Sequence, residues 1–301
     1  DEFPVEAWTR VFSRRLRNLP RRSLDYSDSR GYLPLREALA SYLGASRGVS
    51  CEASQIFITA GSQQALDAVF RVLLDEGDEA IIEDPNYLGA RGALLAAGAK
   101  LIPVPLDNEG LDIRLGSKLS PAARLAYCTP SHQFPLGVTM SLSRRLELLE
   151  WARQRSAWIV EDDYDSEFRF SGRPVPAMKS LDGGDSVFLL GTFNKILFPS
   201  LRLGYIVAPH VWVDRLLALR FQIDRYPPAI PQAILGRFMA EGHFARHLRR
   251  MRELYAQRCG ALQCDAARYL RGAIRLPEIQ AGLCTPAYLT NGMTSREASE
   301  R

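Results

Sequence analysis

Cysteine is scarce, and none of it is spaced as a pair. Cys51, Cys128, Cys259, Cys264 and Cys284 include no CxxC, which argues against a disulfide framework or a zinc site and fits a reducing cytosol. Long apolar runs are also missing, since charges or prolines interrupt every candidate before the ~20 residues that a bilayer-spanning helix needs. The charged opening from Asp1 through Trp8 to Arg17 has no apolar signal-peptide core, so the expected localisation is cytoplasmic. There is no internal repeat and no low-complexity tract. Nor is there much excess of one charge: +4 over 301 residues does not require nucleic acid or a membrane as partner. What the chain does have is 47% hydrophobic residues, enough to bury one large domain or a large and a small one.

Residues 32–43 place Leu35, Leu39 and Leu43 at helical spacing with charge opposite, which predicts an amphipathic helix after Gly31. From about Gln55, short β-rich runs alternate with helical stretches. QIFIT precedes a helix over 63–74 and EAIIE one over 87–97. KLIPV and RLAYC follow, then a helix over 143–154, AWIVE, SVFLLG and LGYIVA. Such alternation predicts an α/β fold with a mostly parallel central sheet flanked by helices. Beyond Pro209 no further strand is expected, and helical patterns run over 211–224, 231–240 and 243–268. Thr294 and Glu297 make a capping-box start close to Arg301, so the expectation is a fragment with an incomplete small C-terminal domain.

Candidate chemistry lies at the ends of these strands. In GTFNKILFPSLRLGY (191–205), Lys195 sits between two apolar strands, with Thr192 before it and Arg202 after it. In open parallel sheets, ligands bind at the strand C-termini. A lysine desolvated there becomes a nucleophile towards an aldehyde, and the hydroxyl and guanidinium suit a phosphate. The plain alternative is a surface lysine in a structural salt bridge. In QIFITAGSQQALDAVF (55–70), a tight turn into a helix can cradle phosphate on backbone N–H groups, or it can simply join strand to helix with Ser62 as N-cap. In WIVEDDYDSEFRF (158–170), an apolar strand runs into acids beside Tyr164. A carboxylate there can pair with a protonated pyridine nitrogen, and a phenol can bond the ring's 3′-oxygen. The competing readings are Mg²⁺ on Glu161, Asp162 and Asp163 in a hydrolase, or a solvated acidic loop. In IIEDPNYLGAR (81–91), Tyr87 can stack on a flat cofactor or merely fill a turn.

These segments, together with FPVEAWTR, DYSDSRGYLPLREALASYL with the following SRGV, TAGSQQALD, EDPNY and TPSHQFPLG, cover nearly the whole chain in order. On them the chain resembles fold-type I pyridoxal 5′-phosphate (PLP) enzymes and, within these, the aminotransferase-like class I/II domain of MocR-type regulators of the GntR family. The resemblance implies a fold-type I PLP-dependent transferase with an arm and lead-in helix over 1–45, a large PLP-binding domain over 46–235, and the start of a small C-terminal domain over 236–301. It implies that Lys195 holds the cofactor as a Schiff base, Asp162 pairs with the pyridine nitrogen, Tyr164 bonds the 3′-oxygen and Tyr87 stacks on the ring. Ser62, Gln63, Thr192 and Arg202 would hold the phosphate. His132 and Gln133 are both candidates for a polar contact near the ring, and Tyr26 would reach the phosphate of a neighbouring subunit in a homodimer.

The same resemblance implies an amino compound as small-molecule partner and a winged-helix DNA-binding domain ahead of this region. The chain itself is not expected to recognise DNA specifically, and Arg10, Arg14, Arg15, Arg17, Arg21 and Arg22 read as a solvated helix face. The expected function is effector sensing within a transcriptional regulator; the alternative is an active aminotransferase. FPVEAWTR and the single residue between Asp162 and Tyr164 resemble the regulators more than the free-standing enzymes. Asn194 and Leu136 depart from the family's usual serine before the lysine and small polar residue before the glycine. The family's arginine for the substrate carboxylate falls past Arg301, which puts amino-acid binding in doubt.

Overall fold

The computed structural model describes residues 2–18, 25–183, 185–290 and 292–300; Arg21 and Arg22 lie outside them. In chain order the elements are α1 (Val5–Arg17), α2 (Leu33–Arg47), β1 (Ile56–Thr59), α3 (Ser62–Leu73), β2 (Glu79–Asp84), α4 (Leu88–Ala96), β3 (Lys100–Asp107), β4 (Gly110–Leu111), α5 (Ile113–Leu119), β5 (Leu125–Cys128), α6 (Leu142–Arg155), β6 (Trp158–Asp163), α7 (Met178–Leu181), β7 (Val187–Thr192), β8 (Gly204–Val207), α8 (Val213–Ile223), α9 (Ala229–Ala240), α10 (His243–Tyr269), β9 (Ile274–Arg275), β10 (Tyr288–Leu289) and α11 (Ser295–Glu300). Every strand expected before Pro209 is present. The expectation of none beyond it was wrong, because β9 and β10 pair as a short antiparallel ribbon. Two residues in each strand are too few to leave an alternating pattern in the sequence.

The main sheet has the order β1-β8-β7-β6-β5-β2-β3-β4. Strands β3, β2, β5, β6 and β7 run parallel, and β8 runs antiparallel to both β7 and β1. The chain therefore leaves β1, β2, β5, β6 and β7 at one common edge and enters β8 there. Consecutive connections lead outward from β2 to β3, and inward from β5 to β6 and β7. The gap between β2 and β5 is thus a topological switch point, where open α/β sheets place ligands.

Strands β1, β5, β7 and β8 are buried along their whole length, which is why they read as continuous apolar runs rather than alternating ones. On one face Leu66 and Phe70 of α3 pack with Tyr127, Val160 and Phe188. On the other, α2 buries Leu35, Leu39 and Leu43, as its spacing predicts, against Ile58, Val207, Leu235 and Phe238. A third cluster joins Leu148 and Trp151 of α6 to Ala126, Ile159 and Val187. Gly191 is dictated by packing: a Cβ there would lie 2.2 Å from the Tyr205 ring. Thr294 and Glu297 do cap α11, each accepting from the other's backbone N–H. Among the described residues no helix is long and apolar enough to cross a membrane.

Candidate active site

The turn after β1 is possible because Gly61 adopts φ +87°, a conformation that costs glycine little. Gly61, not Ser62, is the N-cap of α3, which corrects the capping role considered for Ser62; Ser62 is the first helical residue. Gln64 braces the turn, accepting from Ala60 N at 2.7 Å and donating to Asp224 at 2.8 Å. Across the turn stands the loop between β7 and β8. A Cβ on Gly61 would lie 3.1 Å from the Arg202 guanidinium and from the Asn194 amide, so glycine keeps this concavity open. Arg202 donates to Ala60 O at 3.0 Å. Asn194 closes the loop on itself, because its side-chain oxygen accepts from Leu203 N at 3.0 Å. The Thr192 hydroxyl accepts from Asn194 N at 3.2 Å and donates to Leu203 O. Gln63 donates to Gly89 O at 2.9 Å, which ties the start of α3 to the loop of Tyr87.

Aromatic rings line the switch point. Tyr87 meets Phe134 edge-on at 5.8 Å between centroids, and Phe134 meets Tyr164 at 6.3 Å. Lys195 is exposed and makes no ion pair among the described residues, so neither a structural salt bridge nor the expected desolvation comes from this chain's own packing. Its charge nevertheless acts on Cys284, as do the Tyr164 hydroxyl and the Asp165 carboxylate. Burial pushes that thiol up, Asp165 adds to the shift, and Lys195 and Tyr164 oppose it. Tyr164 thus reaches Cys284, with Asp165 and Lys195 near enough for their charges to act on the thiol. A lone cysteine far along the chain gave no sign of this.

The acids that end β6 are buried, which rules out a solvated acidic loop. They also diverge. Glu161 accepts from Met178 N and Lys179 N at the start of α7, and Asp163 pairs with Arg47 at 2.9 Å. Asp162, pointing to the opposite face, accepts from the Tyr127 hydroxyl at 2.9 Å. Alternation along a strand separates neighbouring side chains, and no metal-holding group of acids, histidines and cysteines occurs among the described residues. The Mg²⁺ reading fails on that geometry.

Asp162 is 4% exposed, and its Oδ1 is buried with no partner among the described residues. Burial raises its carboxyl from 3.8 to about 7, against the opposing hydrogen bond from Tyr127. Such an acceptor suits a cationic donor, which would hold it as a carboxylate. A folded-state pKa above the ordinary one means that this acid's stabilising contribution is present below about pH 4 and lost as pH rises through about 7. In the ligand-free protein, Asp162→Asn is therefore expected to flatten part of the fall in stability between pH 4 and 8. Urea unfolding across that range checks this, and an unchanged slope would refute it.

Gln133 and His132 part company. The Gln133 amide is consumed within the fold: Nε2 donates to Glu83, Pro85 O and Phe134 O, and Oε1 accepts from Leu136 N. Glu83, raised by burial to about 7, also accepts from Thr129 N and Oγ1. This clasp joins the Tyr87 loop to the Phe134 loop across the switch point. His132 instead places Nδ1 2.8 Å from the Tyr164 hydroxyl. Tyr26 lies away from these groups, 82% exposed, with its ring 5.2 Å from that of Tyr226. Tyr127, Glu83 and Asp165 were missed in the sequence because each is an ordinary residue at or near a strand end, and only pairing between strands reveals its partner.

The sheet order and the crevice at its switch point are those of a fold-type I PLP-dependent transferase. The chain belongs to the aminotransferase class I and II family, whose model matches residues 1–263, and PLP is that family's cofactor. It is 43% identical to MocR, a rhizopine catabolism regulatory protein of Rhizobium meliloti, over 97% of this chain and 59% of that protein. It is 31% identical to aromatic-amino-acid aminotransferase 1 of Thermococcus litoralis, over 100% of this chain and 74% of that protein. Among solved structures, kynurenine aminotransferase of Pyrococcus horikoshii superposes with a TM-score of 0.90 at 31% identity, covering 99% of this chain and 76% of that one. The chain thus spans about six-tenths of the length of the regulator it matches.

Proposed function

We propose that this chain is the PLP-binding, effector-sensing domain of a MocR-type GntR regulator, in which an amino compound is captured at Lys195. The observation that carries the reading is Asp162, whose buried Oδ1 has no partner among the described residues. The bound cofactor supplies an aldehyde that captures amines and a ring that accepts electrons from the substrate carbon. The protein's own groups supply the rest. Asp162 holds a proton on the pyridine nitrogen, and Tyr127 keeps Asp162 turned inward. Tyr87 covers the ring and Tyr164 bonds its 3′-oxygen. The N–H groups at the start of α3, with Ser62, Gln63, Thr192 and Arg202, hold the phosphate. Lys195 Nζ would be the group that moves the proton at the substrate Cα.

His132 belongs beside the ring, whereas Gln133 braces the loops. Exposed Tyr26 reaches a second copy, so the assembly is a homodimer in which the partner completes the phosphate site. The domain division at 45 and 235 stands as part of this reading, as do a cytoplasmic location and a DNA-binding domain elsewhere in the longer protein. Similarity to the regulator over 97% of the chain favours sensing. Similarity to a working aminotransferase over the whole chain keeps turnover as the second reading. A panel of amino acids added to the PLP-loaded protein separates the two. A shifted visible band without keto acid is expected for the sensor; accumulating keto acid would establish the enzyme.

A further inference from the structure

Asp165 has no part in the proposal above, yet it is 1% exposed and lies beside the site. Its Oδ2 accepts from Leu283 N at 3.0 Å and faces His132 Nδ1 at 3.0 Å. The same ring nitrogen lies 2.8 Å from the Tyr164 hydroxyl. His132 is only 3% exposed. Its ring is closed in by Gly282, where a Cβ would fall 2.1 Å from it, and by Gly137, where one would fall 3.2 Å from Nε2. The imidazole therefore cannot swing away to resolve a mismatch of protons.

A carboxylate only accepts hydrogen bonds, whereas a neutral imidazole nitrogen donates or accepts according to the tautomer. The Asp165 contact is favourable only when Nδ1 carries the proton. That N–H is then shared between Asp165 Oδ2 and the Tyr164 oxygen, so Tyr164 is the acceptor in its contact with His132. The phenol's own proton remains to be given to another partner, and Tyr164 also reaches the Cys284 thiol, on which the Lys195 charge acts. With the opposite tautomer, Tyr164 would spend its proton on Nδ1 and present only lone pairs to the site.

We propose that Asp165 is a positioning residue that acts through His132 to make the Tyr164 hydroxyl a hydrogen-bond donor into the Lys195 site. Its use there rests on Tyr164 being the phenol that bonds the cofactor's 3′-oxygen. Leu283 N couples the arrangement to the segment around Gly282, which docks on the strand-end loop through Gly282 N to Phe168 O at 2.7 Å.

The test has two readouts. Long-range ¹H–¹⁵N correlation spectra of the PLP-free, ¹⁵N-histidine-labelled protein report each tautomer, with the His132 signals identified by their loss in His132→Gln. The wild type should show Nδ1–H at His132. Asp165→Ala should lose that pattern in favour of Nε2–H, while Asp165→Asn, which keeps an accepting oxygen, should retain it. An Nε2–H pattern in the wild type overturns the proposal without any variant, even if Asp165→Ala fails to fold. In the PLP-loaded protein, Asp165→Ala should shift the pH midpoint of the visible band in the same direction and by a similar amount as Tyr164→Phe. A midpoint unchanged from wild type overturns the link to Tyr164. If the Nδ1–H pattern is found but no PLP is retained, the functional reading fails while the proton arrangement stands.

Discussion

Replacing Lys195 by alanine should abolish the visible band that survives desalting, together with any borohydride-trapped adduct on the Lys195 peptide. The effect is all or none for the covalent link, because Lys100 is paired with Glu79, Lys179 with Asp185, and Lys118 lies on α5. Non-covalent affinity should fall but not vanish. The cup of Gly61, Asn194 and Arg202 is held by backbone hydrogen bonds that do not use the Lys195 side chain, and the Asp162–Tyr127 pair lies on β6 and β5, so both should persist in the variant. Added primary amines should restore a band to the alanine variant if the rest of the cradle is intact. Retention of a reducible adduct in Lys195→Ala would place the reactive amine elsewhere and sink the assignment.

Arg145→Met should destabilise the fold by about 3–5 kcal/mol, the range for breaking a buried ion pair from one side. Arg145 is 0% exposed. It donates to Met140 O, Pro176 O and Pro130 O at 3.2, 2.9 and 2.8 Å and stands 3.8 Å from Glu161. Methionine fills similar space but supplies no donor, so Met140 O and Pro176 O lose this partner in a dry region, Pro130 O keeps only Met140 N, and Glu161 loses its countercharge. Burial already holds the Glu161 carboxyl above its ordinary range, with Arg145 the largest opposing influence. For a chain of this size the loss corresponds to a melting temperature lower by on the order of 10 °C. The site should suffer too, since Arg145 pins the start of the loop that carries His132 and Phe134. By contrast, the exposed Arg153–Glu150 pair should be nearly neutral on removal. A loss below about 1 kcal/mol for Arg145→Met would mean that the neighbouring backbone relaxes or water enters.

Much of this molecule could be read in the chain alone, because period and punctuation are local properties. The apolar runs of β1, β5, β7 and β8, the stripe of Leu35, Leu39 and Leu43, and the glycine turn before α3 each follow from residues within a few positions of one another. The position of Asp162, Tyr164, Lys195 and Arg202 at or just beyond strand ends followed too, since strand-end loops of a parallel sheet share one edge whatever the strand order. Tertiary structure decided what depends on partners far apart in sequence. Tyr127 reaches Asp162 only because β5 lies beside β6, and the clasp of Glu83, Thr129 and Gln133 exists only because β2 lies beside β5. Strand alternation turned Glu161 and Asp163 towards α7 and Arg47 and Asp162 to the opposite face beside Tyr127. The different partners of His132 and Gln133 also belonged to the fold: these adjacent residues bond to Tyr164 and Asp165 in one case and to Glu83 and the neighbouring backbone in the other. Hydrogen bonding and burial are settled by neighbours in space, and a sequence orders its residues only along the chain.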